Sequence, residues 1–289
     1  MQEISKTKTG IFFFAVILAT SVWFHWPQFS KDLIGIHLWR QAQTGWNIRN
    51  FYRHDFNILN PRSCSFNGGN DNIYRNEFPV MQWMIAGTQK IFGESVVEMR
   101  ICLFIIDLLS IFGMYSLLQL LFRNTLGSWM GAWVFCFSPL FFYYTINPLP
   151  DNFALCCSIW FLYFFFRFVE DQRSSSLIWS AVFLSLATLA KLPFIILAAG
   201  VGIYVLQKFN IKKTFKVVGI FMLFLLPPIS WYIWVIPTWS GNGIITGMFK
   251  NGISRKEVQD ILDYHFQVMF PTILMKNPLQ NPNNWLKQK

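Results

Sequence analysis

The chain has 289 residues, 54% of them apolar and 13% charged, about half the charge of an ordinary soluble domain. That deficit excludes a simple soluble enzyme, and the same numbers exclude disordered, collagen-like and disulfide-scaffold chains. The net charge of +10, from 24 Lys and Arg against 14 Asp and Glu, fits a membrane surface, an anionic substrate or nucleic acid until the charges are placed.

The aromatic share is 19%, with 32 Phe in runs such as Phe12-Phe13-Phe14 and Phe164-Phe165-Phe166. Such runs make a helix apolar all round, which belongs in lipid. Ile11 to Trp26 follows Lys6 and Lys8 and reads as a retained first span, because Phe24 to Pro27 is a poor signal-peptide cleavage site. Gln28 to Phe78 is a long first outer loop. Within it, Ile36 to Ile58 mixes Ile36, Trp39, Trp46, Phe51 and Ile58 with Arg and Gln, as expected of a helix in the headgroup region. Phe78 to Phe92 reads the same way. Further spans are predicted over Ile101 to Phe122, Leu126 to Ile146, Asn152 to Phe166 and Val217 to Ile236, the last bent at Pro227-Pro228.

Lys191 and Pro193 interrupt the stretch from Leu177 to Leu206. Arg167 and Arg173 precede it and Lys208, Lys212, Lys213 and Lys216 follow it. Cytoplasmic loops collect such residues, so the number of crossings between them is even. Two crossings place Lys191 at an outer turn. The sequence therefore predicts an all-α, polytopic helical membrane protein of about seven spans, with the amino terminus and Arg123 inside. Residues 1–240 form the membrane domain, and 241–289 an outer tail in which Ser254-Arg-Lys-Glu257 is a capping box opening a helix.

The polar groups able to do chemistry fall mostly on the outer side. Asp151, at the start of a span, is either a helix cap or a general base. Lys191 is either a snorkelling lysine or a point charge holding a phosphate. Glu77, in Asn76-Glu-Phe-Pro79, is a helix-start acid or part of a site. Arg40 and Arg49 lie nine residues apart, about two and a half turns. Read as roughly on one helix side, they are either solvated charge or joint ligands of a phosphate headgroup. Asp107 is costly in lipid and needs a partner. His25, His37, His54 and His265 lack metal-ligand spacing, and Asn67-Gly-Gly-Asn70 lacks the strand and helix of a phosphate loop. Cys102, Cys136, Cys156 and Cys157 lie in apolar runs and Cys64 stands apart, so no disulfide framework is visible.

In order along the chain come His37-Leu-Trp-Arg-Gln-Ala-Gln-Thr44, Ile48-Arg-Asn-Phe51, Asn57 to Arg62, Glu77-Phe-Pro79, Pro150-Asp-Asn-Phe153 and Thr188-Leu-Ala-Lys-Leu-Pro193. This series resembles the C-type membrane glycosyltransferases, in the branch of aminoarabinose transferases and protein O-mannosyltransferases, over most of the chain. The resemblance implies inverting sugar transfer, from a polyprenyl-phosphate donor to a glycan, lipid or protein acceptor, on the outer face of a bacterial inner membrane. No nucleotide cofactor is implied, and a divalent metal is left open. The implied partners are membrane lipids and these substrates, not nucleic acid. On the same resemblance Lys191, Arg40 and Arg49 hold the donor phosphate, Glu77 organises the site and Asp151 acts near the acceptor. The chain departs from the family where an acid early in the outer loop is usual, carrying Arg40, Gln41 and Gln43 instead, none of which takes up a proton at neutral pH. Asp55, Asp151 and Glu77 are the candidates to replace it. Relatives are also usually longer, so a truncated or inactive chain is one alternative and a flippase for lipid-linked glycans another.

Overall fold

A computed structural model of the protein describes residues 2–33, 37–63 and 72–238, with residues 2–9 and 11 described as helical backbone alone. The described residues are almost wholly helical, with one antiparallel bridge between Arg62 and Ile73. The helices are α1 (Gln2–His25), α2 (Leu38–Arg53), α3 (Val80–Phe92), α4 (Val96–Phe122), α5 (Thr125–Cys136), α6 (Pro139–Tyr144), α7 (Pro150–Asp171), α8 (Ser174–Ala190), α9 (Ile196–Lys208) and α10 (Ile211–Val235). All ten belong to one compact unit, Met1–Val235; a second unit is Ile236–Lys289. Ile36, the Asn67 to Asn70 run and the expected tail helix at Ser254 lie outside the described residues. So does the free-standing Cys64.

Among the described residues, α4, α7 and the helix beginning at Ile211 are long and apolar enough to cross a membrane, with α8 and α9 as shorter apolar helices. The hydrogen bonds between helices fix their directions. Asn152 meets Asp107 and Arg123 meets Glu170, so α4 and α7 run in parallel. Lys216 meets Ser174 at one end and Tyr232 meets Leu189 at the other, so α8 and α10 run in parallel. In α9, Tyr204 packs on Phe165 and Phe166 near the end of α7, which sends it back from Lys191. Lys191 is thus the turn of an α8–α9 hairpin, as expected of a stretch interrupted at Lys191 and Pro193.

One expected span is corrected. Leu126 to Ile146 is not a single helix: it breaks at Phe137 and Ser138 into α5 and α6. Pro139 is the reason, since it has no N–H to donate and pushes the residue before it out of the helical region; Ser138 has ψ 134°. Pro227 and Pro228, by contrast, lie inside α10, which continues through both.

The apolar side of α2 also differs from expectation. Trp39 and Trp46, seven residues apart, point outward at 70% and 41% exposure, whereas Gln41, Thr44, Ile48 and Phe51 are buried. One face packs on protein and the other offers tryptophans of the kind that seat at headgroup level. A core of Ile48, Phe51, Met81, Ile85, Met99, Leu103, Phe153 and Ala187 ties α2 and α3 to α4, α7 and α8. A second, of Phe161, Phe165, Leu177, Leu184, Val205 and Phe221, holds α7 to α10 together. Where α4 crosses α7, a Cβ on Gly113 would come within 3.1 Å of the Ile159 and Trp160 side chains, which would have to give by a few tenths of an ångström.

Candidate functional site

Four charged side chains from four segments meet at one end of the bundle. Lys191 Nζ lies 3.1 Å from Asp151 Oδ2 and 3.2 Å from Glu77 Oε1. Arg40 pairs with the same Glu77 oxygen through NH2, and its NH1 donates to Gln43 Oε1 at 2.9 Å. Two cations and two carboxylates leave no net charge. Glu77 and Arg40 are 14% and 15% exposed, Lys191 25% and Asp151 47%. The cluster therefore has a buried side and a side open to solvent.

Local sequence sets each position. Lys191 is the C-cap of α8, in extended backbone with φ −157°, and its N–H still donates to Ala187 O. Pro193, in the short 3-10 turn that follows, keeps α8 from continuing. Glu77 lies in the extended segment before α3. There Phe78 N donates to Leu189 O, Trp231 Nε1 to Asn76 O and Tyr232 Oη to Leu189 O, each at 3.0 to 3.1 Å. The last turns of α8 and α10 thus clamp the acid from both sides. Asp151 stands in the first turn of α7, after Pro150 at the first helical position. The N-cap is Leu149, without a side-chain hydrogen bond, so Asp151 is not the cap and its carboxylate is turned to Lys191.

Asp107 anchors this turn from below. It is 1% exposed in α4, and its Oδ2 accepts from Asn152 Nδ2 at 3.0 Å; the same amide donates to Tyr144 O at 2.7 Å. Asn152 is the neighbour of Asp151, so the buried acid of α4 holds the backbone that presents Asp151.

Burial alone would raise the Glu77 carboxyl, but the Arg40 and Lys191 charges outweigh it and hold the group below its ordinary value. Glu77 is therefore a fixed anion between two cations.

Two expected members lie elsewhere. Two and a half turns is a half-turn out of phase, so Arg40 and Arg49 stand on opposite faces of α2. Arg49 Nε pairs with Glu94 Oε1 at 2.8 Å, and Arg53 Nε takes Oε2 at 2.6 Å. Asp55 closes its own loop, accepting from Asn60 Nδ2 at 3.1 Å and Asn57 N at 2.9 Å; these bonds and Arg62 hold its carboxyl low. Sequence reasoning missed Trp231 and Tyr232, which read only as apolar residues of a span. It also missed the Arg40–Glu77 pair, whose members are 37 residues apart. Among the described residues no group of three or more His, Cys, Asp or Glu side chains comes together as a metal-ligand set.

Residues 76–234, more than half of the chain, match the family model for dolichyl-phosphate-mannose-protein mannosyltransferases. The chain belongs to that family. No curated protein and no solved structure gives a match. Membership in this mannosyltransferase family points to a membrane glycosyltransferase with a polyprenyl-phosphate sugar as donor. The matched region opens one residue before Glu77 and takes in Asp151 and Lys191, whereas Arg40, Arg49 and Asp55 precede it.

Proposed function

We propose that the protein transfers a sugar from a polyprenyl-phosphate donor to a glycan, lipid or protein acceptor at the extracytoplasmic face of the membrane, with Asp151 as base and Lys191 as phosphate ligand. The observation that carries this reading is Lys191 Nζ held 3.1 Å from the half-exposed Asp151 and 3.2 Å from the buried Glu77. An acceptor hydroxyl oxygen attacks the anomeric carbon from the face opposite the phosphate. The bond from that carbon to the phosphate oxygen breaks, and its electron pair leaves on the phosphate. The hydroxyl proton passes to Asp151. Lys191, supported by Arg40, meets the charge gained by the departing phosphate, where partial exclusion of water strengthens the attraction.

The roles divide by environment. Glu77, held low by two cations, is a poor proton acceptor and serves to fix Arg40 and Lys191. Asp55 is occupied by its own loop. Asp151, 47% exposed with Lys191 beside it, has the most solvent access of the three candidate acids. A phosphate oxygen on Lys191 competes with Asp151 for the ammonium, so donor binding frees the carboxylate for its task.

The test is transfer from a labelled polyprenyl-phosphate sugar in membranes. Asp151→Asn keeps shape and removes the base, and should lower transfer by roughly 10²- to 10⁴-fold with folding intact. Lys191→Met should weaken binding of the donor lipid, with partial rescue in Lys191→Arg, whose planar fork shifts the phosphate. Normal transfer by a folded Asp151→Asn protein, with unchanged donor affinity in Lys191→Met, would refute the assignment.

A further inference from the structure

The end of α8 remote from Lys191, about 25 Å away along the helix, carries a further concentration of charge. Arg123, Arg167, Arg173, Lys208, Lys212, Lys213 and Lys216 lie there, at or near the ends of α4, α7, α8, α9 and α10. The acids beside them are Glu170 and Asp171, and both are already paired, Glu170 with Arg123 at 3.1 Å and Asp171 with Arg167 at 3.7 Å. From Gln172 to Val235 the chain has no acidic residue. This end is therefore strongly positive.

Its cations are not alike. Lys213 Nζ lies 3.9 Å from the Phe209 ring centroid and 5.5 Å from that of Phe168, and it donates to Gln172 Oε1. Lys216 Nζ donates to Ser174 Oγ at 3.1 Å. These two tie the start of α10 to the end of α7 and the start of α8. Lys208 and Lys212 have no such task. Both are exposed, four residues apart across the Phe209-Asn210 turn between α9 and α10, and neither ammonium group has an ion-pair, hydrogen-bond or ring partner among the described residues.

The surface next to these lysines narrows the partner. Ile211, Phe215, Val218 and Met222 recur every three or four residues on one face of α10, and all are exposed, as are Ile203 and Leu206 on α9. The helix beginning at Ile211 is long and apolar enough to cross a membrane. With that face in lipid, Lys208 and Lys212 stand where acyl chains meet headgroups. A soluble anion would use the lysines and leave the apolar stripe idle. A zwitterionic lipid would cover the stripe but bring a cation of its own towards the lysines. An anionic lipid suits both parts, its chains along the stripe and its phosphate at the ammonium groups.

We propose that Lys208 and Lys212 form a binding site for the phosphodiester of an anionic phospholipid, whose chains run along the exposed faces of α9 and α10. The site does not depend on the transfer reaction proposed above, since it uses none of the residues assigned to that reaction and lies at the other end of α8.

The test is to equilibrate the purified protein in detergent with equal amounts of phosphatidylglycerol and phosphatidylcholine, and to measure the lipid that stays bound by mass spectrometry. Phosphatidylglycerol should be enriched on the order of tenfold, and Lys208→Gln with Lys212→Gln should remove most of that preference. Neither side chain holds the fold, so the double variant should fold normally. Arg123→Gln with Arg167→Gln deletes as much charge from the same end, but from cations that already hold carboxylates, and should keep the preference. Equal losses in the two double variants would show selection by net charge alone and overturn the site. Equal retention of the two lipids by the unaltered protein, or a preference that survives loss of both lysines, would overturn it as well. Glycerol phosphate, the headgroup anion without chains, separates the two sources of phosphate. It should leave the bound lipid in place; displacement would reassign the lysines to a soluble phosphate and overturn the lipid site.

Discussion

Two charge clusters flank α2, and each sets one glutamate between two cations. At one end Glu77 lies between Arg40 and Lys191, with all three side chains no more than 25% exposed; at the other Glu94 lies between Arg49 and Arg53, which are 46% and 50% exposed. The chemistry is the same and the surroundings are not. In the buried cluster, losing the glutamate leaves Arg40 without its carboxylate and Lys191 with Asp151 alone, where water reaches them poorly. In the exposed cluster, water and salt take over much of its work. Burial, and the presence of Asp151 as a fourth member, mark the first cluster as the place for charge-dependent chemistry.

The largest expected effect is on Glu77. Glu77→Gln should destabilise the protein by about 3 kcal/mol and, on the proposed reaction, lower sugar transfer roughly hundredfold, because Arg40 and Lys191 lose the carboxylate that positions them. Thermal unfolding in detergent, paired with the transfer assay, measures both. An equal effect from Glu94→Gln would erase the distinction between the clusters.

Next comes the anchor beneath the site. Asp107→Leu removes the acceptor that grips Asn152 and should lower transfer about tenfold by letting Asp151 drift; Asp107→Asn, which can accept the same hydrogen bond, should restore most of it. If the Leu variant transfers sugar at the normal rate, Asp151 is held by Lys191 alone.

Acid should act on both clusters in the same direction. Glu77 and Glu94 are both held below the ordinary carboxyl value, Glu77 by charges that outweigh its burial and Glu94 by the Arg53 and Arg49 hydrogen bonds and charges that outweigh a smaller burial. A depressed carboxyl adds stability that is complete above its unfolded-state value and is lost as pH falls through the folded-state value. Melting temperature should therefore fall on acidification below about pH 4.5, with a shallower slope in Glu77→Gln. An unchanged slope would show that Glu77 is not the group being protonated.

The smallest effect belongs to Glu94→Gln at neutral pH, a loss below about 1 kcal/mol. One molar salt, with a screening length of about 3 Å, should remove it. A loss that persists in high salt would mean that the exposed cluster is more shielded from solvent than its arginines indicate.

Much of this arrangement was legible in the chain. Low charge and all-round apolar helices fixed the class, because lipid admits nothing else with that composition. The interruption at Lys191 and Pro193 was expected to be a turn between two helices, and Glu77, Asp151 and Lys191, singled out as chemically useful, do meet. Length and apolarity alone did not find the break at Pro139.

Pairing was decided only by the tertiary structure. Arg40 and Arg49 share a helix, yet the half-turn between them sends one to Glu77 and the other to Glu94. Asp107 found its partner 45 residues away, and Trp231 reached Asn76 across 155. Composition and periodicity are local properties, summed along a few turns, and they determine which stretches become helices and which ends face the same way. Which charge meets which depends on helix rotation and packing depth, set by cores drawn from the whole chain.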